Sequence, residues 1–255
     1  MKVKLVDSIH NPSIKWIRKV CQNPKKEGYV VFEGEHTLEE ALKSDFYFSK
    51  IVLTEEKYNR WKERILKYEV LIVEEDLFRM ISFSKSPEGV LVIGNIKKEI
   101  LEEPKNDSAY LYLDEIQDPV NVGILIRSAY AFNFNGVFIG DGSADFYNPT
   151  VIGRSAGAVF HIPVYNFKKV EFLLWSQLNR VEIYVAQSSN KKIEKVFTPQ
   201  SPFVLVLGNE SRGVSKEILE KNDGIFSIPM REGWDSLNVA AAGSILMYEL
   251  KKRKM

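Results

Sequence analysis

Three stretches in the second half of the chain place glycines and polar side chains where a buried core would want neither. They are Asp118-Pro-Val-Asn121-Val-Gly123-Ile-Leu-Ile-Arg127, Leu207-Gly208-Asn-Glu210-Ser-Arg-Gly213, and Ile228-Pro-Met230 running on through Ser236-Leu237-Asn238-Val239. Asn121 and Arg127 lie six positions apart, and on a helix from Pro119 that spacing turns the side chains through about 600°, onto different faces. One can then fix a loop while the other points into a site. Glu210 follows the apolar run Phe203–Leu207, in a loop whose glycines let the backbone approach a ligand closely. It is a candidate site carboxylate. Ser236-Leu-Asn-Val opens a segment, Ala240-Ala-Ala-Gly-Ser244, small enough for another element to pack at close range. Each stretch also has a plain reading. A lone helix arginine is usually a surface residue, Asn-Glu-Ser-Arg-Gly is a polar turn, and an alanine-rich helix is a tightly packed one. Their occurrence together favours a site.

Other chemistries lack their residues. No Gly-x-Gly-x-x-Gly follows a strand-like run, and Gly140-Asp-Gly142 has neither the third glycine nor a helix behind it, so a dinucleotide site is not expected. A Walker lysine and His-Glu-x-x-His are both missing. His10, His36 and His161 lie far apart, and Cys21 is the sole cysteine, so neither a metal site nor a disulfide within the chain is expected. A reducing cytoplasm fits that cysteine usage.

The elements that must position these residues alternate between strand and helix. Short apolar runs at Ala109–Leu113, Gly136–Ile139, Val181–Val185, Phe203–Leu207 and Ile225–Ile228 suit parallel strands covered on both faces. Helical segments are predicted over Asn121–Phe132, Val170–Asn179, Ser215–Lys221 and Leu237–Lys252. Asp118 before Pro119 suits a helix start, Ser236 suits a cap for the last helix, and Lys251-Lys-Arg-Lys254 complements its dipole. Earlier in the chain, runs at Tyr29–Phe32, Lys50–Leu53, Val70–Val73 and Gly89–Ile93, with a helix over Glu35–Ser44, predict a smaller α/β domain. The charged, turn-forming stretch around 96–108 is the expected linker. It separates domains at 1–95 and 109–255.

A chain of 255 residues, 45% hydrophobic, can bury a full core. Thirty-five basic and thirty-four acidic residues give no global field, so attraction to nucleic acid requires local clustering. One cluster exists: Ser8 to Lys26 holds no acid, while Lys15, Arg18, Lys19, Lys25 and Lys26 surround Trp16. It reads either as a solvated helix face or as an RNA contact. No window supplies the roughly 18 apolar residues of a membrane helix, and the opening residues have no long apolar run, so a soluble, non-exported protein is expected.

Taken as a set, the three stretches resemble the motifs of the SpoU (TrmH-type) RNA ribose 2'-O-methyltransferases of the SPOUT superfamily. The matching patterns are Asn-x-Gly-x-x-x-Arg, Gly-x-Glu-x-x-Gly, and Pro followed by Ser-Leu-Asn-Val. The first half is similar to that family's substrate-binding domain, itself like ribosomal protein L30e. Asn11-Pro-Ser-Ile-Lys15, Tyr29-Val-Val-Phe-Glu-Gly-Glu35, Glu39-Glu-Ala-Leu42 and Ser86-Pro-Glu-Gly-Val-Leu91 carry that likeness. The resemblance implies an α/β catalytic domain with a parallel sheet and a deep trefoil knot, an exception to the usual avoidance of knots. It implies S-adenosylmethionine as cofactor, touched by Leu207, Gly208, Ile228, Met230, Ser236 and Leu237. It also implies an RNA substrate, ribosomal rather than transfer RNA, and a homodimer with sites near the interface. Lys15, Arg18, Lys19 and Lys25 would contact RNA, with Trp16 able to stack on an unpaired base.

Methyl transfer from a sulfonium needs alignment and help with a hydroxyl proton, but no metal. The resemblance gives Arg127 that second task. Because a guanidinium is hard to deprotonate, it would sit against the developing alkoxide or a nearby phosphate, with Asn121, Glu210 and Asn238 orienting it. The chain departs from the pattern at Glu232, where many relatives have glycine, with Gly233 and the bulky Trp234 following. Ala240 stands where serine is frequent. Gly153 stands where an arginine is common, with Arg154 next to it, which weakens Arg154 as an RNA contact. Rival readings are a non-catalytic RNA-binding protein, a base methyltransferase and a nucleotide-dependent oxidoreductase. The complete polar set argues against the first, Ser-Leu-Asn against the second, and the missing glycine fingerprint against the third.

Overall fold

The computed structural model describes residues 2–95, 100–187, 202–233 and 236–252. Trp234, the start of the expected linker at 96–99, and Arg253 and Lys254 of the basic end lie outside them. In chain order the first elements are β1 (Lys2–Val6), α1 (Pro12–Gln22), β2 (Val30–Glu33), α2 (Glu35–Leu42), β3 (Tyr47–Thr54), α3 (Glu55–Ile65), β4 (Glu69–Val73), α4 (Glu75–Ile81) and β5 (Val90–Asn95). There follow β6 (Ala109–Asp114), α5 (Pro119–Ala131), β7 (Gly136–Ile139), α6 (Pro149–Arg154), β8 (Val164–Asn166), α7 (Lys169–Leu178), β9 (Glu182–Ala186), β10 (Phe203–Gly208), α8 (Lys216–Leu219), β11 (Gly224–Phe226) and α9 (Val239–Lys252). They form two compact units, Met1–Lys98 with Tyr147–Phe160, and Glu99–Phe146 with His161–Met255.

The first unit holds a five-stranded sheet in the order β1-β4-β3-β5-β2. β1, β4 and β3 run parallel, and β5 pairs antiparallel with both β3 and β2. Helix α1 shows how the sequence builds its face. The Asn11 side chain accepts from Ser13 N at 2.9 Å, Pro12 needs no donor at the first position, and Ile14, Ile17 and Val20 are buried. They join Val31, Val52, Leu71 and Leu91 in one core. Trp16 differs from expectation. Its ring packs against that core, meets Tyr29 edge-on with centroids 5.4 Å apart, and has Lys50 Nζ 5.2 Å from its centre. A ring already flanked in this way is not a free platform for a base.

Unexpected in this unit are β1, whose lysines mask its strand pattern, and the later segment 147–160. Here α6 lies against β2, and Phe160 places its ring 5.2 Å from that of Phe32 and 5.1 Å from that of Phe46. Chain order alone puts this segment with the second unit. The aromatic contacts hold it in the first.

The second unit carries a six-stranded sheet in the order β11-β9-β10-β6-β7-β8, every neighbouring pair parallel. All six residues of β6 are buried, and Phe203 to Leu207 of β10 are at most 1% exposed, as continuous apolar runs require. Tyr112 and Phe172 stack at 4.1 Å in this core. Helix α9 crosses α5 at Gly243, where a side chain would strike Leu125 and Leu207. β11 ends at Phe226, which leaves Ile228 in a loop, and β8 is a three-residue strand the sequence did not announce.

The cap of α9 also differs. Asn238 Oδ1 accepts from Ala240 N at 2.9 Å and Ala241 N at 3.2 Å, and the helix begins at Val239. Ser236 lies too far upstream for that role. Among the described residues no helix is long and apolar enough to cross a membrane.

Candidate active site

The loops leaving the carboxyl ends of β6, β10 and β11 are held to one another by side chains of the motif stretches. Gly208 faces Asp114 across the sheet, and its backbone lies so close to Gly213 and Val214 that a methyl group there would collide with both. Asn209 then ties the loop in three places. Its Oδ1 accepts from Ser211 N at 3.0 Å and Arg212 N at 3.1 Å, and its Nδ2 donates to the Glu115 carbonyl at 2.9 Å. The buried Asp114 carboxylate accepts from Ser215 N at 2.7 Å, fixing the far end. Asn209 and Asp114 were not among the expected site residues. An asparagine between glycines is the usual signal for such a side-chain turn, and it was present.

These loops enclose a pocket of about 620 Å3. Leu207, Gly208, Ile228, Met230, Ser236 and Leu237 all line it, as do Glu210 and Asn238. Its walls combine apolar side chains with polar groups in nearly equal measure, which suits an organic ligand with an apolar body and several polar ends.

At the rim, Asn121 joins two motifs. Its Nδ2 donates to Glu210 Oε1 at 2.8 Å, and its Oδ1 accepts from Asn238 Nδ2 at 3.0 Å. Asn238 spends its own oxygen on the cap of α9, so each amide group has one assigned task. The Asp118 cap, accepting from Val120 N at 2.8 Å, sets where α5 starts and hence where Asn121 stands. Asn121 is buried and Arg127 exposed, in keeping with the two faces their spacing predicts. Arg127 does not line the pocket and has no hydrogen-bond or ion-pair partner among the described residues. One residue further along, the Ser128 and Ser244 hydroxyls meet at 2.8 Å and tie α5 to α9.

The expected RNA-contact residues belong to the first unit. Lys15, Arg18 and Lys19 are exposed on α1, and Lys25 is exposed in the turn behind it. Lys19 pairs with Glu27 at 2.8 Å, so part of the cluster's charge is already met. Among the described residues no group of three or more histidines, cysteines and acids gathers to hold a metal ion.

Residues 108–248 match the model of the SpoU rRNA methylase family, over more than half of the chain. The chain belongs to that family. A SpoU methylase is an enzyme that transfers a methyl group to RNA, and residues 11–92 of this one match the MRM3-like substrate binding domain. The 23S rRNA (guanosine(2553)-2'-O)-methyltransferase RlmP of Bacillus subtilis (strain 168) is 30% identical to this SpoU protein over 251 residues, 98% of this chain and 100% of that one. An AdoMet-bound rRNA methyltransferase from Sinorhizobium meliloti superposes with a TM-score of 0.88 at 25% identity, covering 99% of each chain. The SpoU methyltransferase AviRb from Streptomyces viridochromogenes, in complex with AdoMet, gives 0.85 at 22% identity over 96% of this chain and 98% of its own. At that identity the likeness to AviRb is one of fold.

Proposed function

We propose that this SpoU methylase transfers a methyl group from S-adenosylmethionine to a ribose 2'-hydroxyl of ribosomal RNA. The observation that carries the reading is the pocket of about 620 Å3 with the Asn238–Asn121–Glu210 chain on its rim. Apolar Leu207, Ile228 and Leu237, with Gly208 beside them, fit a purine and its sugar. Met230 and Ser236 would complete the wall. When bound, the cofactor supplies an electrophilic methyl group and leaves as a neutral thioether.

The protein's own residues do the rest by position and charge. Arg127 lies against the 2'-oxygen or the adjacent phosphate, where its positive charge favours the ionised hydroxyl. Glu210, fixed by Asn121, and Asn238, fixed by its cap on α9, orient the loops around that oxygen. Lys15, Arg18, Lys19 and Lys25 meet backbone phosphates of the RNA. The match to a 23S rRNA enzyme along the whole chain supports ribosomal over transfer RNA.

The exposed Tyr130, Ile245 and Tyr248 on α5 and α9 support a homodimer through these helices. The knotted threading implied by the motifs, and work in a reducing cytoplasm, belong to the same proposal. Light scattering that finds a monomer at working concentration would remove the dimer from it.

The test is transfer of tritiated methyl from S-adenosylmethionine to ribosomal and transfer RNA fractions, followed by digestion to nucleosides. Label in a 2'-O-methylnucleoside from ribosomal RNA is the expected result. Label in transfer RNA would change the substrate, label on a base would change the acceptor atom, and failure to bind the cofactor would defeat the reading.

A further inference from the structure

Arg212 is the one cationic side chain among the described residues that line the pocket. Its side chain is 67% exposed, and Nη2 contacts the Glu115 carboxylate. Glu115 reaches that position because its backbone adopts φ 60°, the left-handed region that side-chain-bearing residues rarely occupy. Asn209 holds it there through the Glu115 carbonyl. A residue kept in an unfavoured conformation by its surroundings is a feature of working sites. An exposed ion pair of this kind adds little stability, so its effect here is to aim the guanidinium. The fork has five N–H groups, and the contact with Glu115 leaves others to accept a second anion.

We propose that Arg212, aimed by Glu115, binds a backbone phosphate of the substrate RNA beside the nucleotide to be methylated. This rests on the methyltransferase reading above and adds a positioning contact to it. The exposed side chain stands at the solvent end of the loop whose glycine side forms the pocket wall, which suits the arriving polymer more than the cofactor's own carboxylate. Arg212 can bridge Glu115 and a phosphate without moving far, since planar bidentate contact to phosphate is what its geometry favours. The loop does not depend on this side chain for its shape, because Asn209 fixes the Arg212 backbone separately.

The experiment compares wild type, Arg212→Ala and Arg212→Lys in the full chain. Three quantities are read: S-adenosylmethionine affinity by calorimetry, steady-state methylation of unmodified ribosomal RNA, and binding of that RNA across a salt series. Arg212→Ala is expected to raise KM for RNA roughly tenfold, with a smaller effect on kcat and cofactor affinity within about twofold. It should reduce the slope of log affinity against log salt by about 0.7 to 0.9. Arg212→Lys should restore the salt slope but only part of KM, since it keeps the charge and loses the fork. Unchanged RNA binding and salt slope in Arg212→Ala would overturn the proposal. So would a loss confined to cofactor affinity, which would assign Arg212 to the cofactor carboxylate. Wild type that methylates no RNA would instead overturn the methyltransferase reading, with the RNA-binding arm still deciding Arg212.

Discussion

Two glutamates follow a strand and a glycine in this molecule, and the structure treats them in opposite ways. Glu35, after β2 and Gly34, accepts from Lys57 Nζ at 2.6 Å and Trp61 Nε1 at 2.8 Å, with Arg60 at 3.1 Å. Burial pushes its carboxyl up, but hydrogen bonds from Lys57 and Trp61 and the charges of Lys57 and Arg60 outweigh that and hold it below the usual glutamate range. Glu210, after β10 and Gly208, has a neutral amide for its partner, and among the described residues no cation pairs with it. A carboxylate whose charge is met inside the fold is spent on structure. One held in place by an amide keeps its charge for what enters the pocket. Arg127 follows the same rule, being fixed by its helix while its guanidinium is left without a partner among the described residues.

The sharpest break of this contrast is Arg127→Ala, which should abolish methyl transfer, a fall of at least a thousandfold. Cofactor affinity measured by calorimetry should stay within about twofold, and Arg127→Lys should fail as well. Substantial remaining turnover would take Arg127 out of the mechanism. Next is Asn121→Ala, which frees Glu210 and Asn238 together and should lower kcat by about ten to a hundredfold through misplacement. In a double-mutant cycle with Asn238→Ala the two losses should be clearly non-additive, and simple additivity would mean the amides do not act as a unit.

On the other side of the comparison, Glu35→Gln should cost roughly 1–3 kcal/mol of stability, read from denaturant unfolding, while kcat holds. Because the folded carboxyl titrates low, its contribution is present above the unfolded value and is lost as pH falls through the folded one. The wild-type advantage should therefore shrink in acid, below pH 4.5. The smallest functional effect is expected at Cys21, whose thiol is pushed up to about 12, by burial first and then by the charge of Glu33. Alkylation at pH 8 should be slower than in the unfolded chain by on the order of a thousandfold, with methyl transfer unaffected by the reagent. Fast labelling of the native protein would show that the thiol is not shielded as described.

Most of the sheet of the second unit was legible because its strands, the short β8 apart, are apolar runs between turn formers, and Gly136–Ile139 occupies the very residues expected. All six expected pocket residues line the cavity, four of them apolar and two, Gly208 and Ser236, of a kind a buried core has little use for. What escaped were features set by distant partners. Lys2–Val6 becomes a strand because β4 offers it an edge. The segment ending at Phe160 groups with the first unit through rings more than a hundred positions earlier. Trp16 is turned inward by Tyr29 and Lys50, and Asn238 takes the cap expected of Ser236 while also reaching Asn121. Apart from the cap, whose bonds reach only Ala240 and Ala241, these choices are decided by which neighbour arrives across the fold.

The two bonds of the Asn121 amide span 89 and 117 positions of sequence. Contacts so far apart form slowly, because the loop they close costs entropy before the contact rewards it. Fraying at the start of α9 would release Asn238 from Asn121 while leaving the Asn121–Glu210 bond in place. A chain clipped before Asn238 would therefore lose one of the two bonds that hold Asn121, together with the cap that Asn238 supplies.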